Sequence, residues 1–177
     1  VPVLIVQHMP PLFTQLLAER LTAKGPLRFR EARSGEVLRT GDCLIAPGNY
    51  HMRVERFGLH KQVRVPLEQT PPENSCRPAV DVLFRSIAEV YGGHALAVVL
   101  TGMGQDGLKG VEKLHALGAQ TLVQDEATSV VWGMPGFIAR AGLADGVLPL
   151  PELAPEVLRR LDPQIDQIAI GGARSWK

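Results

Sequence analysis

The sequence predicts an α/β fold built on a doubly wound, mostly parallel sheet with helices on both faces and a small antiparallel ribbon region. Three observations carry that prediction. Strand and helix patterns alternate across residues 79–123, which favours right-handed parallel crossovers. The run ALAVVLTGMGQDG at residues 95–107 reads as a strand buried on both faces through Leu96, Val98, Val99 and Leu100, and then breaks into a glycine turn carrying an acid. The 177 residues, 45% hydrophobic and 21% charged, suffice for one buried core and are too apolar for a disordered chain.

Val3–Val6 reads as a strand already under way, so we expect chain upstream of it. His8 stands at its carboxyl end, where Pro10 and Pro11 interrupt the strand and hold a fixed corner. Leu12, Leu16, Leu17 and Leu21 then recur at helical spacing, with Glu19 and Arg20 outside and Gly25–Pro26 as the stop. Short strands are expected at Leu27–Arg30, Cys43–Ala46, His51–Glu55 and Gln62–Val65, separated by turn-rich segments, as small antiparallel ribbons at the edge of the main sheet. The segment PGNY, Pro47–Tyr50, is a turn whose glycine and asparagine need no catalytic explanation.

A stiff linker, Thr70–Pro78, precedes a strong helix over Ala79–Tyr91 with Val80, Leu83, Phe84, Ile87 and Val90 or Tyr91 on one face. Asp81 suits the dipole of that helix, and Arg77 and Asp81 are candidates for a local ion pair. Leu108, Val111, Leu114 and Leu117 mark another amphipathic helix closed by Gly118. A strand at Gln120–Val123, a short helix at Phe137–Ala141, an edge strand at Val147–Leu150 and a packing helix at Pro155–Leu161 complete the pattern. Trp132 and Met134 either wall a groove or close the core. Residues 1–161 form the expected domain, and 162–177 an atypical tail.

A net charge of +1 recommends neither a nucleic-acid groove nor an anionic membrane surface, and no apolar run approaches the length of a membrane span. Cys43 and Cys76, far apart, make neither a zinc pattern nor a disulfide framework, which fits a reducing cytoplasm. His51, His60, His94 and His115 show no ligand spacing, so no metal is expected.

In open α/β sheets chemistry gathers past the carboxyl ends of the strands, where both His8 and Asp106 fall. Two readings stand. A carboxylate can fix one imidazole nitrogen and leave the other to take a proton from a hydroxyl. Alternatively His8 bonds a loop and Asp106 caps the following helix. Gly102, Gly104 and Gly107 also give a G-x-G-x-x-G pattern between a strand and a helix, which keeps a nucleotide-binding domain open. Thr128 and Ser129 are hydroxyls of a loop after a parallel strand, with turn bonding as their expected role.

Together, QHMPPLFTQLLAERL, LIAPGNYHM, RPAVDVLF, VVLTGMGQDGLKG and VVWGMPG resemble the catalytic domain of the chemotaxis receptor protein-glutamate methylesterase family, in order from about Val3 to Leu161. The resemblance implies a Ser-His-Asp hydrolase of glutamate methyl esters, with glutamine deamidation as a second activity and no cofactor. It implies cytoplasmic helices of methyl-accepting chemoreceptors as substrate. By position in QHMPP, His8 matches the general base; by position in GMGQDG, Asp106 matches its orienting carboxylate, and Met103 the residue whose amide helps form the oxyanion hole. The family nucleophile lies in an upstream G-A-S-T-G-G segment after a first strand. That strand, its serine loop and the amino-terminal receiver domain of many members are not in this sequence. The tail IAIGGARS is similar to the family's serine-bearing strand, which makes Ser175 the candidate nucleophile; without a serine the chain is a silent receptor-docking domain.

Overall fold

A computed structural model describes residues 1–60 and 62–162. In chain order the elements are β1 (Val3–Ile5), α1 (Phe13–Lys24), β2 (Phe29–Glu31), β3 (Glu36–Val37), β4 (Cys43–Ile45), β5 (His51–Met52), β6 (Glu55–Phe57), β7 (Gln62–Val65) and β8 (Leu67–Glu68). They continue as α2 (Val80–Tyr91), β9 (Leu96–Val99), α3 (Leu108–Ala116), β10 (Gln120–Gln124), α4 (Met134–Arg140), β11 (Gly146–Leu148) and α5 (Leu150–Leu161).

The mixed α/β class is as expected, and its strands are arranged in two open parallel sheets, ordered β1-β4-β2 and β11-β10-β9. Small antiparallel sheets, β3-β7-β6 and β5-β8, are built from strands that follow β4, except for β3, which precedes it. Two expectations are corrected here. The strands at Phe29 and Cys43 are not antiparallel ribbons: β4 pairs in parallel with both β1 and β2, Leu44 standing opposite Leu4 and Arg30. The crossover α1 brings β2 back in the direction of β1, and Thr22 on that helix clasps β2 by accepting from Phe29 N–H at 2.8 Å. The strand expected over His51–Glu55 is two strands, β5 and β6, which join different small sheets.

Strand β9 is not buried on both faces. It pairs with β10, Ala97 and Val99 are buried, Leu96 and Val98 are half-buried, and Leu100 is exposed beyond the strand end. Helix α1 also departs from its pattern. Thr14 and Ala18 face inward while Leu12, Phe13 and Leu16 are exposed, because the residues facing the protein interior are small and hydrogen-bonded: Thr14 Oγ1 donates to Glu31 Oε1 at 2.6 Å and accepts from Gly48 N–H. Helix α5 starts at Leu150 rather than at Pro155, which sits inside it.

Helix α2 is the shared element of two cores. Leu83 and Val90 pack with Leu44, Met52, Val54 and Val65, while Val80 packs with Val99, Val111, Val123 and Ile138. Its expected apolar face is present, and two polar residues on it, Asp81 and Ser86, are buried as well. Helices α2 and α3 approach closely because Gly110 lacks a side chain: a Cβ there would lie 2.5 Å from Phe84 Cβ. No helix among the described residues is long and apolar enough to cross a membrane.

Candidate active site

The loops that follow β1 and β9 meet. His8 Nε2 lies 2.7 Å from Asp106 Oδ2, a contact across 98 residues of sequence, with Asp106 buried and the His8 side chain 27% exposed. The corner holding His8 is tight: Met9 N–H donates to Gln7 O at 2.8 Å, turning the chain at His8 before the two prolines. Gly48 in the PGNY turn supports it, because a Cβ there would fall 2.3 Å from Pro11 N. The glycine of that turn is therefore a positioning element, which turn chemistry alone did not reveal.

Asp106 caps a helix, but not the one that follows it. Its Oδ2 accepts from Val80 N–H at 2.7 Å and its Oδ1 from Asp81 N–H at 3.0 Å, so it closes the amino terminus of α2. Asp81 returns the favour to α3, where its Oδ1 accepts from Gly110 N–H at 2.7 Å. The side-chain amide of Asn74 donates to Asp81 Oδ2 at 2.9 Å and to Asp106 Oδ1 at 3.0 Å. Asn74 was not singled out from the sequence; only its place in the polar NSC turn hinted at a local role.

These bonds separate the two acids electrostatically. Burial raises the Asp106 pKa, but hydrogen bonds from His8, the Val80 and Asp81 amides and Asn74 outweigh it, so the carboxyl titrates below its ordinary range. For Asp81 burial dominates over the Gly110 and Asn74 bonds, and the nearby Asp106 charge adds to it, so its carboxyl titrates above the ordinary range. With Asp106 on Nε2, the Nδ1 atom of His8 is the nitrogen that no hydrogen bond claims among the described residues.

A hollow of about 440 Å³ opens beside His8, walled by Pro11, Asn49, Ser75, Cys76 and Arg77. Neither Ser75 nor Cys76 is hydrogen-bonded to the imidazole among the described residues. The Cys76 thiol is pushed up by burial and by the Asp106 charge, which keeps it protonated rather than a ready thiolate. Arg77 does not pair with Asp81. Its guanidinium donates to Asn49 Oδ1 at 2.6 Å and to Thr70 O at 2.8 Å, bracing the wall of the hollow. Cys43 and Cys76 are both free thiols.

Met103 projects into solvent at 81% exposure from the turn after β9, and no hydrogen bond takes its N–H among the described residues. The turn itself is fixed by its neighbours: Gly102 O accepts from Met134 N–H at 2.8 Å and from Gly133 N–H at 3.1 Å. Thr128 and Ser129 are engaged in structural bonds: the Ser129 hydroxyl donates to Asp125 O at 2.6 Å, and the Thr128 hydroxyl donates to Asp125 Oδ1 and accepts from Leu150 N–H. Met134 is buried, and Trp132 donates to Gln124 O beneath the Arg140 guanidinium, so both close the structure rather than line the hollow. His51 is a core histidine, its Nδ1 accepting from Ala79 N–H and its Nε2 donating to Pro71 O. The glycine pattern at 102, 104 and 107 offers a poor phosphate cradle, since Asp81 already takes the Gly110 amide in the first turn of α3 and Asp106 adds negative charge beside it. Ser175 lies outside the described residues.

A profile of the CheB methylesterase family matches residues 1–157. The chain is 59% identical over 161 residues to a protein-glutamate methylesterase/protein-glutamine glutaminase of Trichodesmium erythraeum, covering 91% of this chain and 45% of that one. It is 54% identical over 175 residues to the protein of the same name from a Nocardioides species, covering 99% and 47%. The chain thus spans about half the length of these curated relatives. The crystal structure of the Thermotoga maritima CheB methylesterase catalytic domain superposes with a TM-score of 0.85 at 40% identity, covering 91% of this chain and 84% of that one. The chain belongs to the CheB methylesterase family.

Proposed function

We propose that His8 and Asp106 are the base and orienting acid of a Ser-His-Asp hydrolase that cleaves methyl esters of glutamate side chains on cytoplasmic helices of methyl-accepting chemoreceptors, and deamidates glutamines there. The single observation supporting this reading is the 2.7 Å contact between His8 Nε2 and a carboxylate whose charged form is stabilised. Asp106 holds the Nε2 proton, so Nδ1 carries the lone pair that takes the proton of the attacking hydroxyl. The serine oxygen bonds to the ester carbonyl carbon, the bond between that carbon and the methoxy oxygen breaks, and His8 returns the proton to the leaving methoxide as methanol. Water, activated by the same imidazole, then releases the glutamate carboxylate. The Met103 amide is our candidate donor to the intermediate's oxyanion, worth about 3 kcal/mol of barrier in comparable sites. Ser175 is this sequence's candidate for the nucleophile. We place the activity in the cytoplasm, with receiver-domain control belonging to longer relatives.

A second reading, a receptor-docking domain without catalysis, is favoured by one feature: among the described residues no hydroxyl is bonded to His8. Methanol release from methylated receptor membranes by the 177-residue chain, His8→Ala and Ser175→Ala decides between the two. Hydrolysis by the parent that falls to background in both variants is the expected result. Equal background release from all three, with receptor binding retained, overturns activity of this chain and leaves the docking reading.

A further inference from the structure

We propose that Cys76, His8 and Asp106 together form a binding site for one thiophilic divalent cation, zinc being the probe of choice. The Cys76 sulfur, a His8 ring nitrogen and an Asp106 carboxylate oxygen lie within 4.8 Å of one another. Sulfur, imidazole nitrogen and carboxylate oxygen are the donors zinc takes, and three protein ligands with an open fourth position are its habit in accessible sites.

The cluster is built rather than incidental. Cys76 ends a two-residue turn in which Asn74 and Ser75 both have positive φ, 52° and 62°, and Glu73 and Cys76 exchange backbone hydrogen bonds of 3.1 and 2.9 Å. The turn is anchored by Arg85, whose two terminal nitrogens each reach Glu73 at 2.6 Å. Asp106 is fixed by the α2 amides, which hold its carboxylate beside His8. Asp81 and Asp106 are buried, and neither has a Lys or Arg ion pair among the described residues, so a cation placed beside Asp106 meets no competing side-chain cation bonded to it. The hollow beside His8 gives entry and room for water on the ion. Cys43 is a poor competitor, being buried with its thiol aimed at Gly41 O, and both nitrogens of His51 are committed.

On binding, the Cys76 proton leaves to solvent as the sulfur–metal bond forms. The proposal does not depend on the hydrolase reading, because it is tested by binding alone. Zinc titrated into the full chain against a colorimetric chelator should show one ion per chain. Cys76→Ala and His8→Ala should weaken it by at least about tenfold, the scale on which losing part of a metal site acts, while Cys43→Ala matches the parent. In the unmodified chain, zinc should slow alkylation of Cys76 by iodoacetamide, followed by peptide mass. Equal zinc uptake by parent and Cys76→Ala overturns the proposal, as does an alkylation rate at Cys76 that zinc leaves unchanged.

Discussion

Asp81 and Asp106 cap one another's helices: Asp106 takes the first amides of α2, where Asp81 resides, and Asp81 takes the Gly110 amide of α3, which follows Asp106. Asn74 ties the two carboxylates together. The partner of His8 is therefore held by the amino terminus of α2 and by Asn74 before it meets the imidazole.

Removing the tie should be felt in stability. Asn74→Ala leaves a buried carboxylate oxygen of Asp81 without its donor and should cost about 1–2 kcal/mol in urea unfolding. Asn74→Asp should be worse at neutral pH, since it sets a third negative charge against two buried ones, and the gap between the two variants should close in acid. Equal midpoints for Asn74→Ala and the parent would show that the bridge contributes nothing.

The two acids should pull the pH profile in opposite directions. The folded pKa of Asp106 is depressed, so its stabilisation is present above the ordinary aspartate value of about 3.9 and is lost as pH falls through the lower folded value. The folded pKa of Asp81 is raised, so its contribution is greatest below about 3.9 and is lost as pH rises through the higher folded value. Unfolding free energy measured across that range should fall less steeply in acid for Asp106→Asn than for the parent. For Asp81→Asn the loss on raising the pH should disappear.

Gly48 should not tolerate a side chain. A methyl group 2.3 Å from Pro11 N must move the loop that carries His8, and Gly48→Ala should lose about 1–3 kcal/mol in chemical denaturation. Gly25→Ala is the control: it has open space around it and an extended backbone, and should be near neutral.

If the hydrolytic reading holds, Asp106→Asn should reduce the rate of methanol release by roughly 10⁴ through the wrong imidazole tautomer, with little change in receptor affinity. A loss of affinity with the rate unchanged would instead assign Asp106 to binding.

Much of this was legible locally. The apolar spacing of Val80, Leu83 and Val90 marks the buried face of α2, and the break after Val99 places Asp106 in a turn at a strand end. The pattern failed for α1, where Leu12 and Leu16 are exposed, Leu17 and Leu21 only half-buried, and Thr14 and Ala18 face inward, because periodicity reports a stripe but not what lies opposite it. It failed also for β2 and β4, whose three-residue lengths carry no mark of parallel or antiparallel pairing. Asn74 escaped notice, and Gly48 was read as an ordinary turn glycine, because turn residues have an ordinary explanation in every loop.

By itself the sequence determined the α/β class and most element positions, and it put an imidazole and a carboxylate at two strand ends, since these follow from residues a few positions apart. Only the tertiary structure decided that those two side chains touch, that Asp106 closes α2 rather than α3, and that Cys76 stands beside them. Such contacts join residues up to 98 positions apart, and they are set by how α2 packs across both cores, which no local spacing encodes.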